Sequence, residues 1–296
     1  MKKLRVAVVG MGLQGQRLVK AVNASKKAVL VATASEREPG SFEAVLKDKT
    51  IEAVVIASPN DKHAAQAIAA AKAGKHILCE KPLALSVRDG RRILSAAKKH
   101  NVKCFVNYHL RVHPEAVHAK KLISQNKLGR IAGIEALWAI GKYGEENLPP
   151  LPAHMRWRES VAAGGGTTAT RGVHLFDLVR FITGQELKVV GGYGDGTKTR
   201  VDQTGITLLT LTKGAPAVIT TSKLMPGADN RMIIYGSKAT LAMRELFSAD
   251  PNSMYANVID YFTDAVRGKK APLATAKDGI SVDALAQAFA KLARKR

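Results

Sequence analysis

Aromatic residues, cysteines and long apolar runs are all scarce in this chain of 296 residues. Only 5% of the residues are aromatic, so the chain has few side chains on which nucleic-acid bases could stack. The two cysteines, Cys79 and Cys104, form no CxxC pattern, and we expect them to stay reduced in a cytoplasmic protein. No run of about 18 apolar residues occurs, so we expect no transmembrane helix and no membrane partner.

Acidic residues are also few: 24 Asp and Glu stand against 46 Lys and Arg, which gives a formal net charge of +22. Such a balance can mark proteins that bind nucleic acids or membrane surfaces. Here the basic residues are scattered as pairs, so we expect a solvated basic surface and no nucleic-acid function. A polyanionic partner remains the alternative, and in either case the field would attract phosphorylated ligands.

Short β-branched runs alternate with helical segments through the first third of the chain. The predicted strands are LRVAVV, AVLVATAS, IEAVVIASP, HILCEKP and KCFVNY, with a helical pattern after each of the first four. This alternation predicts an α/β fold in which βαβ units build a parallel, doubly wound Rossmann sheet. The carboxyl ends of the strands then meet at one edge. We assign residues 1–106 to this dinucleotide-binding domain.

The pattern changes after residue 106. Longer segments follow one another with glycine-containing turns, among them LKVVGGYGD, GITLLTLTKG and APAVITTSKL. Consecutive strands of this kind predict a C-terminal α/β domain with a large, mainly antiparallel open sheet. A loop rich in Pro, Trp and Gly is expected at 145–166. We assign residues 107–296 to this substrate and oligomerisation domain, with the option that a C-terminal helix packs back on the first domain.

A glycine motif, G-x-G-x-x-G, follows the first predicted strand and opens a helix. Gly10 would make the tight turn, Gly12 would let the backbone approach a pyrophosphate, and Gly15 would let the helix pack on the strand. The intervening Leu13 and Gln14 would lie against the cofactor at the helix N-terminus. A simple glycine-rich turn is the alternative.

The residues after the second strand bear on the choice between NAD and NADP. Ser35 occupies the position where an acidic residue would bind the ribose hydroxyls of NAD, and Arg37 could pair with the 2′-phosphate of NADP. Glu36 argues for NAD if it faces the ribose. The segment favours NADP and leaves NAD open.

A polar loop follows the third strand. Ser58, Pro59, Asn60 and His63 are candidates for cofactor contact at the sheet edge. Ser58 or Asn60 could instead act as a turn or helix-capping residue, and His63 could be a structural histidine.

Several motifs in order give a specific resemblance. ASPNDKHAAQAIAAAKAGKHILCEKPLALS, FVNYHLRVHP and RGVHLFDLVRFITG together resemble the Gfo/Idh/MocA family of NAD(P)-dependent sugar and polyol oxidoreductases. The resemblance covers nearly the whole chain. It implies a Rossmann domain and a C-terminal domain whose open sheet commonly serves oligomerisation.

The resemblance implies catalytic roles for Lys81 and His174. The lysine of Glu-Lys-Pro in the family reaches the nicotinamide and the reacting carbon. Physically, Pro82 keeps Lys81 out of the α region, and an ammonium at the sheet edge can stabilise a developing alkoxide. Glu80 would orient the cofactor or Lys81. His174 matches the family histidine that takes the hydroxyl proton on oxidation, a task that suits imidazole.

The chain departs from the family four residues before that histidine. Thr170 stands where an aspartate is common, followed by Arg171. A threonine can hydrogen-bond a substrate hydroxyl but supplies no carboxylate. Asp177, three residues after His174, could partly substitute or could be a structural carboxylate. The departure leaves open an unusual substrate, slower chemistry or a loss of activity.

Further site residues are implied by the same resemblance. Asn107, Trp157 and Arg158 would contact the cofactor near the nicotinamide. The substrate would meet Tyr108, Arg111, Thr170, Arg171 and Asp177. Packing or surface roles are the alternative for each of these residues, and no metal site is expected.

The sequence therefore predicts an oxidoreductase that uses NADP or NAD to oxidise a secondary alcohol, or reduce a ketone, of a sugar, inositol or related polyol. One alternative is a glycosidase or lyase of the same fold, in which hydride transfer is transient. The other is a nucleotide-binding regulatory protein without catalysis, suggested by Thr170 and by the net charge of +22.

Overall fold

A computed structural model describes residues 2–141, 153–197, 199–247 and 251–293 of the chain. Part of the predicted proline-rich loop, residues 145–152, lies outside the described residues, as does the basic tail 294–296. The chain divides into two units. The first comprises Met1–Val112 and Asp250–Asp283, and the second comprises His113–Ala249 and Ala284–Arg296.

The first unit is built on a six-stranded sheet. Its elements are β1 (Leu4–Val9), α1 (Leu13–Ala24), β2 (Ala28–Ala34), α2 (Ser41–Lys47), β3 (Ala53–Ile56), α3 (His63–Lys72), β4 (His76–Cys79), α4 (Val87–Lys99) and β5 (Cys104–Val106), followed later by α7 (Pro251–Val266) and β12 (Ala274–Thr275). The strand order is β12-β5-β4-β3-β1-β2. β1 to β5 pair in parallel, which confirms the predicted doubly wound sheet.

One strand of this sheet departs from the parallel pattern. β12 pairs antiparallel with β5, through Ala274 opposite Val106 and Thr275 opposite Phe105. A two-residue strand has no periodicity to detect in a sequence. The other strands are recognisable because helices cover both faces of the sheet: every residue of β3 is buried, as its unbroken AVVI run predicts.

The second unit carries its own six-stranded sheet. Its elements are α5 (Pro114–Ser124), β6 (Ile131–Gly141), α6 (Val173–Thr183), β7 (Leu187–Gly194), β8 (Thr204–Leu211), β9 (Pro216–Pro226), β10 (Arg231–Gly236) and β11 (Thr240–Met243). The strand order is β11-β10-β6-β9-β8-β7, and only the β6–β9 pair is parallel. The mainly antiparallel sheet is therefore confirmed.

The helix α6 forms much of the core of this unit. Every residue from Val173 to Ile182 is buried, so the helix is covered on all sides rather than on one face. A single π-helical turn, Thr168–Gly172, leads into it. Its C-terminus ends at Gly184, which adopts the left-handed conformation (φ 65°) that glycine tolerates at this position.

The last helix, α8 (Ala276–Ala293), belongs partly to each unit, because the first unit ends at Asp283. The sequence-based boundary after residue 106 falls slightly before the division at Val112. The division also assigns α7, β12 and the start of α8 to the first unit. Among the described helices, none combines the length and the apolar character that a membrane crossing would need.

Candidate functional site

The three glycines of the motif after β1 have three different environments. Gly10 has φ 93°, and a Cβ there would lie 2.4 Å from the Ser58 backbone nitrogen. At Gly15 a Cβ would lie 1.8 Å from the Gly10 carbonyl oxygen, whereas at Gly12 it would meet nothing within 4 Å. Gly10 and Gly15 thus permit the tight turn and the helix packing, and Gly12 leaves open space at the start of α1.

Gly12 is also the N-cap of α1, and no side chain caps the helix there. The first N–H groups of a helix need acceptors and carry a partial positive charge. A pyrophosphate oxygen supplies both an acceptor and a negative charge. The open space at Gly12 and the uncapped helix start therefore fit the pyrophosphate of a dinucleotide.

The segment after β2 is organised around Ser35. Its hydroxyl accepts a hydrogen bond from the Arg37 N–H at 3.2 Å, and its own N–H donates to the Ser41 hydroxyl at 3.1 Å. Glu36 and Arg37 are exposed, and Glu36 lies 3.5 Å from the Lys62 ammonium. Two cationic side chains, Arg37 and Lys62, therefore accompany Glu36 at this strand end.

The loop after β3 is tied to the loop after β4 by His63. This side chain is 1% exposed, with Nδ1 2.7 Å from the Pro82 carbonyl oxygen and Nε2 3.0 Å from the Ser58 carbonyl oxygen. Burial lowers its pKa, so the neutral ring can donate to only one of the two carbonyls at a time. These contacts favour the structural reading of His63.

Two neighbours of His63 in this loop are engaged as well. The Ser58 hydroxyl donates to the Gln66 side-chain oxygen at 2.5 Å, and the Pro59 carbonyl accepts the Lys62 N–H at 2.9 Å. Asn60 is 6% exposed. The loop is therefore built around a turn that leads into α3, as one of the sequence-based alternatives expected.

Glu80, directly after β4, joins three elements through its carboxylate. Oε1 accepts hydrogen bonds from Gln14 Nε2 at 2.9 Å and from Asn107 Nδ2 at 2.6 Å, while Oε2 accepts the Lys81 backbone N–H at 3.2 Å. Burial raises the pKa of Glu80, against the lowering effect of the Lys81 charge and of these hydrogen bonds. The carboxylate thereby fixes the glycine loop, β5 and the backbone of Lys81 relative to one another.

Lys81 itself is half-buried, and its peptide bond to Pro82 is cis. The segment that follows is held by Asp283 of α8, whose Oδ2 accepts the Ala84 N–H at 3.1 Å. Asp283 is 3% exposed, and its burial raises its pKa to about 8. The chain on both sides of Pro82 is thus anchored, by Glu80 and His63 on one side and by Asp283 on the other.

Tyr255 of α7 was not found by the sequence analysis. Its ring lies 5.0 Å from that of His109. Burial, followed by the charge of Glu80, raises the pKa of the Tyr255 hydroxyl to about 12, although the side chain of Gln14, which donates to Glu80, lowers it. No local signal marks this tyrosine, because it comes from a helix remote in sequence.

Tyr108 and Arg111, expected near the substrate, are 3% and 6% exposed. Arg111 donates to the Leu273 carbonyl at 3.1 Å and lies 3.5 Å from the Asp278 carboxylate. These two partners of Arg111 belong to the first unit, so the guanidinium connects segments of that unit.

In the second unit, His174 is 4% exposed and lies at the start of α6. Its ring is 5.8 Å from that of Trp138, which in turn contacts Phe247. Asp177 is 1% exposed and follows on the same helix. The histidine therefore occupies a sheltered position beside aromatic rings, with a buried carboxyl group near it along the helix.

The π-helical turn before α6 contains Thr170, at which the sequence departs from the family pattern, and Arg171, which follows it. The Thr170 hydroxyl donates to the Gly166 carbonyl at 2.6 Å, so it serves the local backbone. Arg171 is half-buried, and its burial, together with the charge of Arg158, lowers its pKa to about 10. Such π turns are often found at functional sites.

Trp157 and Arg158 precede this turn. The Arg158 guanidinium lies 5.4 Å from the Trp157 ring centre, within the range of a cation–π contact. The Arg158 carbonyl accepts the Gly166 N–H at 3.0 Å, which ties the segment to the π turn.

The candidate residues thus form two groups, one in each unit. The first unit assembles the glycine loop, His63, Glu80, the Lys81 segment and Asn107, with Ser35 and Arg37 at the neighbouring strand end. The second assembles Arg158, Thr170, Arg171 and His174. Within the described residues, no group of three or more His, Cys, Asp or Glu side chains could hold a metal ion.

Two family models match the chain. A model described as an oxidoreductase family with an NAD-binding Rossmann fold matches residues 4–108, and a GFO/IDH/MocA C-terminal domain matches residues 116–242.

Curated proteins and solved structures are similar over most of the chain. The 1,5-anhydro-D-fructose reductase of Ensifer adhaerens is 27% identical over 81% of this chain and 77% of its own. The inositol 2-dehydrogenase of Rhizobium meliloti is 27% identical over 99% of this chain and 98% of its own. The crystal structure of scyllo-inositol dehydrogenase from Lactobacillus casei, with bound NAD(H) and scyllo-inositol, has a TM-score of 0.83 at 21% identity, covering 99% of this chain and 97% of that one.

Proposed function

Because this chain belongs to the Gfo/Idh/MocA family of oxidoreductases, we propose that it transfers hydride between a nicotinamide dinucleotide and a secondary alcohol or ketone of a sugar, inositol or related polyol. The observation that carries the proposal is the carboxylate of Glu80. It connects the phosphate-binding glycine loop, through Gln14, to the backbone of Lys81. A dinucleotide site and a candidate catalytic lysine are thereby parts of one hydrogen-bonded structure.

NAD or NADP fits the residues of the first unit. Gly12 and the uncapped start of α1 would hold the pyrophosphate, and Asn107 has a buried side-chain oxygen without a hydrogen-bond partner that a nicotinamide amide could satisfy. When bound, the nicotinamide ring supplies or accepts the hydride at its C4 atom. Further cofactor contacts would come from the Ser58–His63 loop of the same unit.

NADP is the proposed preference. Arg37 and Lys62 are exposed cations near the end of β2, and the Lys62 ammonium lies 3.5 Å from the carboxylate of Glu36, which would favour NAD if it faced the ribose. A 2′-phosphate would gain charge-assisted hydrogen bonds from this segment.

Lys81 is proposed to bind the substrate oxygen. Its ammonium would stabilise the negative charge that develops on this oxygen as the C–H bond breaks, and it does so better in the transition state than in the ground state. Glu80, by holding the Lys81 N–H, would limit the positions that the side chain can take.

His174 is proposed to take the hydroxyl proton during oxidation and to return it during reduction. Its ring belongs to a helix that is buried along its length, so its orientation is fixed. Without an aspartate at position 170, the imidazole lacks a carboxylate at that position that would strengthen it as a base.

The protein is further proposed to form a homo-oligomer in the cytoplasm. Large apolar side chains on four strands of the second sheet are exposed: Val190, Tyr193, Leu208, Val218 and Tyr235. Leu208 and Val218 are direct neighbours across β8 and β9, so part of the exposed area is continuous. Both cysteines are free and buried, as suits a reducing compartment.

The proposal is tested by following NAD(P)H absorbance with a panel of inositols, sugars and sugar acids. The purified protein should produce or consume NAD(P)H in proportion to substrate. Lys81→Met should abolish turnover and leave cofactor affinity within about tenfold of the wild type. Substrate consumption without a net absorbance change would select the transient-hydride alternative. Cofactor binding without any turnover would select the regulatory one.

A further inference from the structure

Three basic side chains of the second unit come from segments that are tied together by backbone hydrogen bonds. Gly166 donates its N–H to the Arg158 carbonyl at 3.0 Å, and its own carbonyl accepts the Thr170 N–H at 3.1 Å. Arg171 follows Thr170 directly. Arg158 and Arg171 are therefore joined through the single residue Gly166.

Lys223 of β9 is connected to the same turn from the other side. Its N–H donates to the Gln203 carbonyl at 2.8 Å. The neighbouring residue, Asp202, accepts the N–H and the hydroxyl of Thr168 at 2.9 and 2.7 Å. The π-helical turn also packs on β9. We call Arg158, Arg171 and Lys223 the basic cluster.

The members of the basic cluster are half-buried and repel one another. Burial lowers the pKa of Lys223, and the charges of Arg171 and Arg158 lower it further. The carboxylates that act on Lys223 are Asp202, whose Oδ2 already accepts two hydrogen bonds from Thr168, and Glu159, which is exposed. Within the described ranges, the structure records no ion pair for Arg171 or Lys223.

Arg171 and Lys223 are half-buried like charges with no ion pair recorded among the described residues, and such charges reduce stability unless an anion balances them. The basic cluster also lies close along the chain to the proposed proton-transfer residue. Arg171 precedes His174 by three residues, which is about one helical turn or 5 Å along the axis.

We propose that the basic cluster is a subsite for an oxyanion of the substrate, so that the polyol on which this protein acts carries a carboxylate or a phosphate. The inference rests on the proposed function and narrows it, from polyols in general to sugar acids or sugar phosphates. Arg171 supplies a planar, two-pronged donor, and Lys223 supplies a point charge. A neutral sugar or inositol would bring no charge to balance Arg171 and Lys223.

A binding experiment tests the subsite without any need for turnover. Protein saturated with NADP, so that the dinucleotide site is filled, is titrated calorimetrically with inorganic phosphate and with D-glucuronate. Wild-type protein should bind at least one of them, and the preferred ion tells phosphate from carboxylate. Arg171→Gln and Lys223→Gln should each weaken binding about tenfold or more, because each removes a charge-assisted hydrogen bond. Arg171→Lys should restore part of the affinity.

The control is Lys213→Gln, which removes an exposed lysine of the same unit and should leave binding unchanged. Equal binding by the wild type and by Arg171→Gln, or no binding of either ion by the wild type, would overturn the subsite. Circular dichroism of each variant checks that the fold is retained, and Arg171→Lys keeps the test valid if Arg171→Gln does not fold.

A turnover experiment separates this inference from the proposed function. D-Glucose, D-glucuronate and D-glucose 6-phosphate, together with the corresponding inositol and inositol phosphate, are compared by kcat/KM. Higher kcat/KM for an anionic member, lost in Arg171→Gln, supports both proposals. Turnover of neutral polyols that Arg171→Gln does not affect overturns the subsite and leaves the oxidoreductase function standing. Arg171-dependent anion binding with no hydride transfer from any polyol keeps the subsite and overturns the oxidoreductase function.

Discussion

The Asn107 side-chain N–H donates to Glu80 Oε1 at 2.6 Å, so the ends of two adjacent parallel strands are fixed to each other by one buried carboxylate. Asn107 is 1% exposed and Glu80 is 8% exposed. The same oxygen accepts a hydrogen bond from the side chain of Gln14 in the glycine loop. The start of α1 is therefore held at a fixed distance from Glu80, which directly precedes Lys81. Such a satisfied network sets geometry more strictly than apolar packing does.

Replacing Glu80 by Gln tests the importance of this network. The amide NH2 would face either the Lys81 N–H or the two donors Gln14 and Asn107, and at least one donor would lose its acceptor. We expect the free energy of unfolding to fall by about 1–3 kcal/mol and kcat to fall with it. Thermal melts and steady-state kinetics measure the two effects, with exposed Glu43→Gln as the matched control. A Glu80→Gln variant with wild-type melting and kcat would contradict the prediction.

Arg37→Ala addresses the cofactor preference. Removing the exposed guanidinium should raise the Kd of NADP about tenfold or more and change that of NAD little, because only NADP carries the 2′-phosphate. Fluorescence titration with both reduced cofactors measures the difference. Arg130→Ala, which removes an exposed arginine of the second unit, is the control. Equal weakening of both cofactors would show that Arg37 does not bind the phosphate.

His63→Ala removes the contact between the imidazole and the Pro82 carbonyl. We expect kcat to fall about tenfold while the Kd of the cofactor changes less, since His63 positions the Lys81 segment rather than binding the reacting atoms. His63→Gln keeps one N–H donor and should recover part of kcat. Exposed His118→Ala serves as the control. If His63→Ala changed only cofactor affinity, the positioning role would be wrong.

Asp283 should make stability depend on pH. Its folded pKa of about 8 exceeds the ordinary value near 4, so between these values the folded state holds a proton that the unfolded state has released. The free energy of unfolding should therefore fall as pH rises from about 5 to 8, by up to about 1.4 kcal/mol per unit from this group. Asp283→Asn keeps an oxygen for the Ala84 N–H and should flatten this slope.

Urea unfolding of both proteins at several pH values measures the two slopes. Asp61→Asn, which alters an exposed carboxylate, is the reference variant. Parallel pH profiles for the wild type and Asp283→Asn would show that the carboxyl group does not retain its proton in the fold.

Local patterns in the sequence predict most of the elements. The unbroken AVVI run of β3 and the glycine motif before α1 each satisfy a requirement of burial or backbone geometry within a few residues. The π-helical turn at Thr168–Gly172 and the two-residue strand β12 have no such local signature. They depend on tertiary contacts, which a pattern of single residues does not encode.

The candidate site divides in the same way. The resemblance identifies Lys81 and His174 by their motifs, and the strand-end rule indicates Ser35 and Arg37. Neither the resemblance nor the strand-end rule reveals that His63 joins two loops. Neither reveals that Asp283, on a helix remote in sequence, holds the backbone after Pro82. The partners of a buried polar group are set by the folded chain, so they become visible only in the structure.

The α7 helix has a consequence for how the first unit is made. Ser25 donates to Asp260 at 2.5 Å, and the Phe262 ring meets that of Phe105 at 6.1 Å, so α1 and β5 are finished by residues from near the end of the chain. A ribosome must synthesise the chain through α7 before this half can reach its final form. A truncated product that stops at Val112 would leave those apolar surfaces bare and open to aggregation or to binding by chaperones.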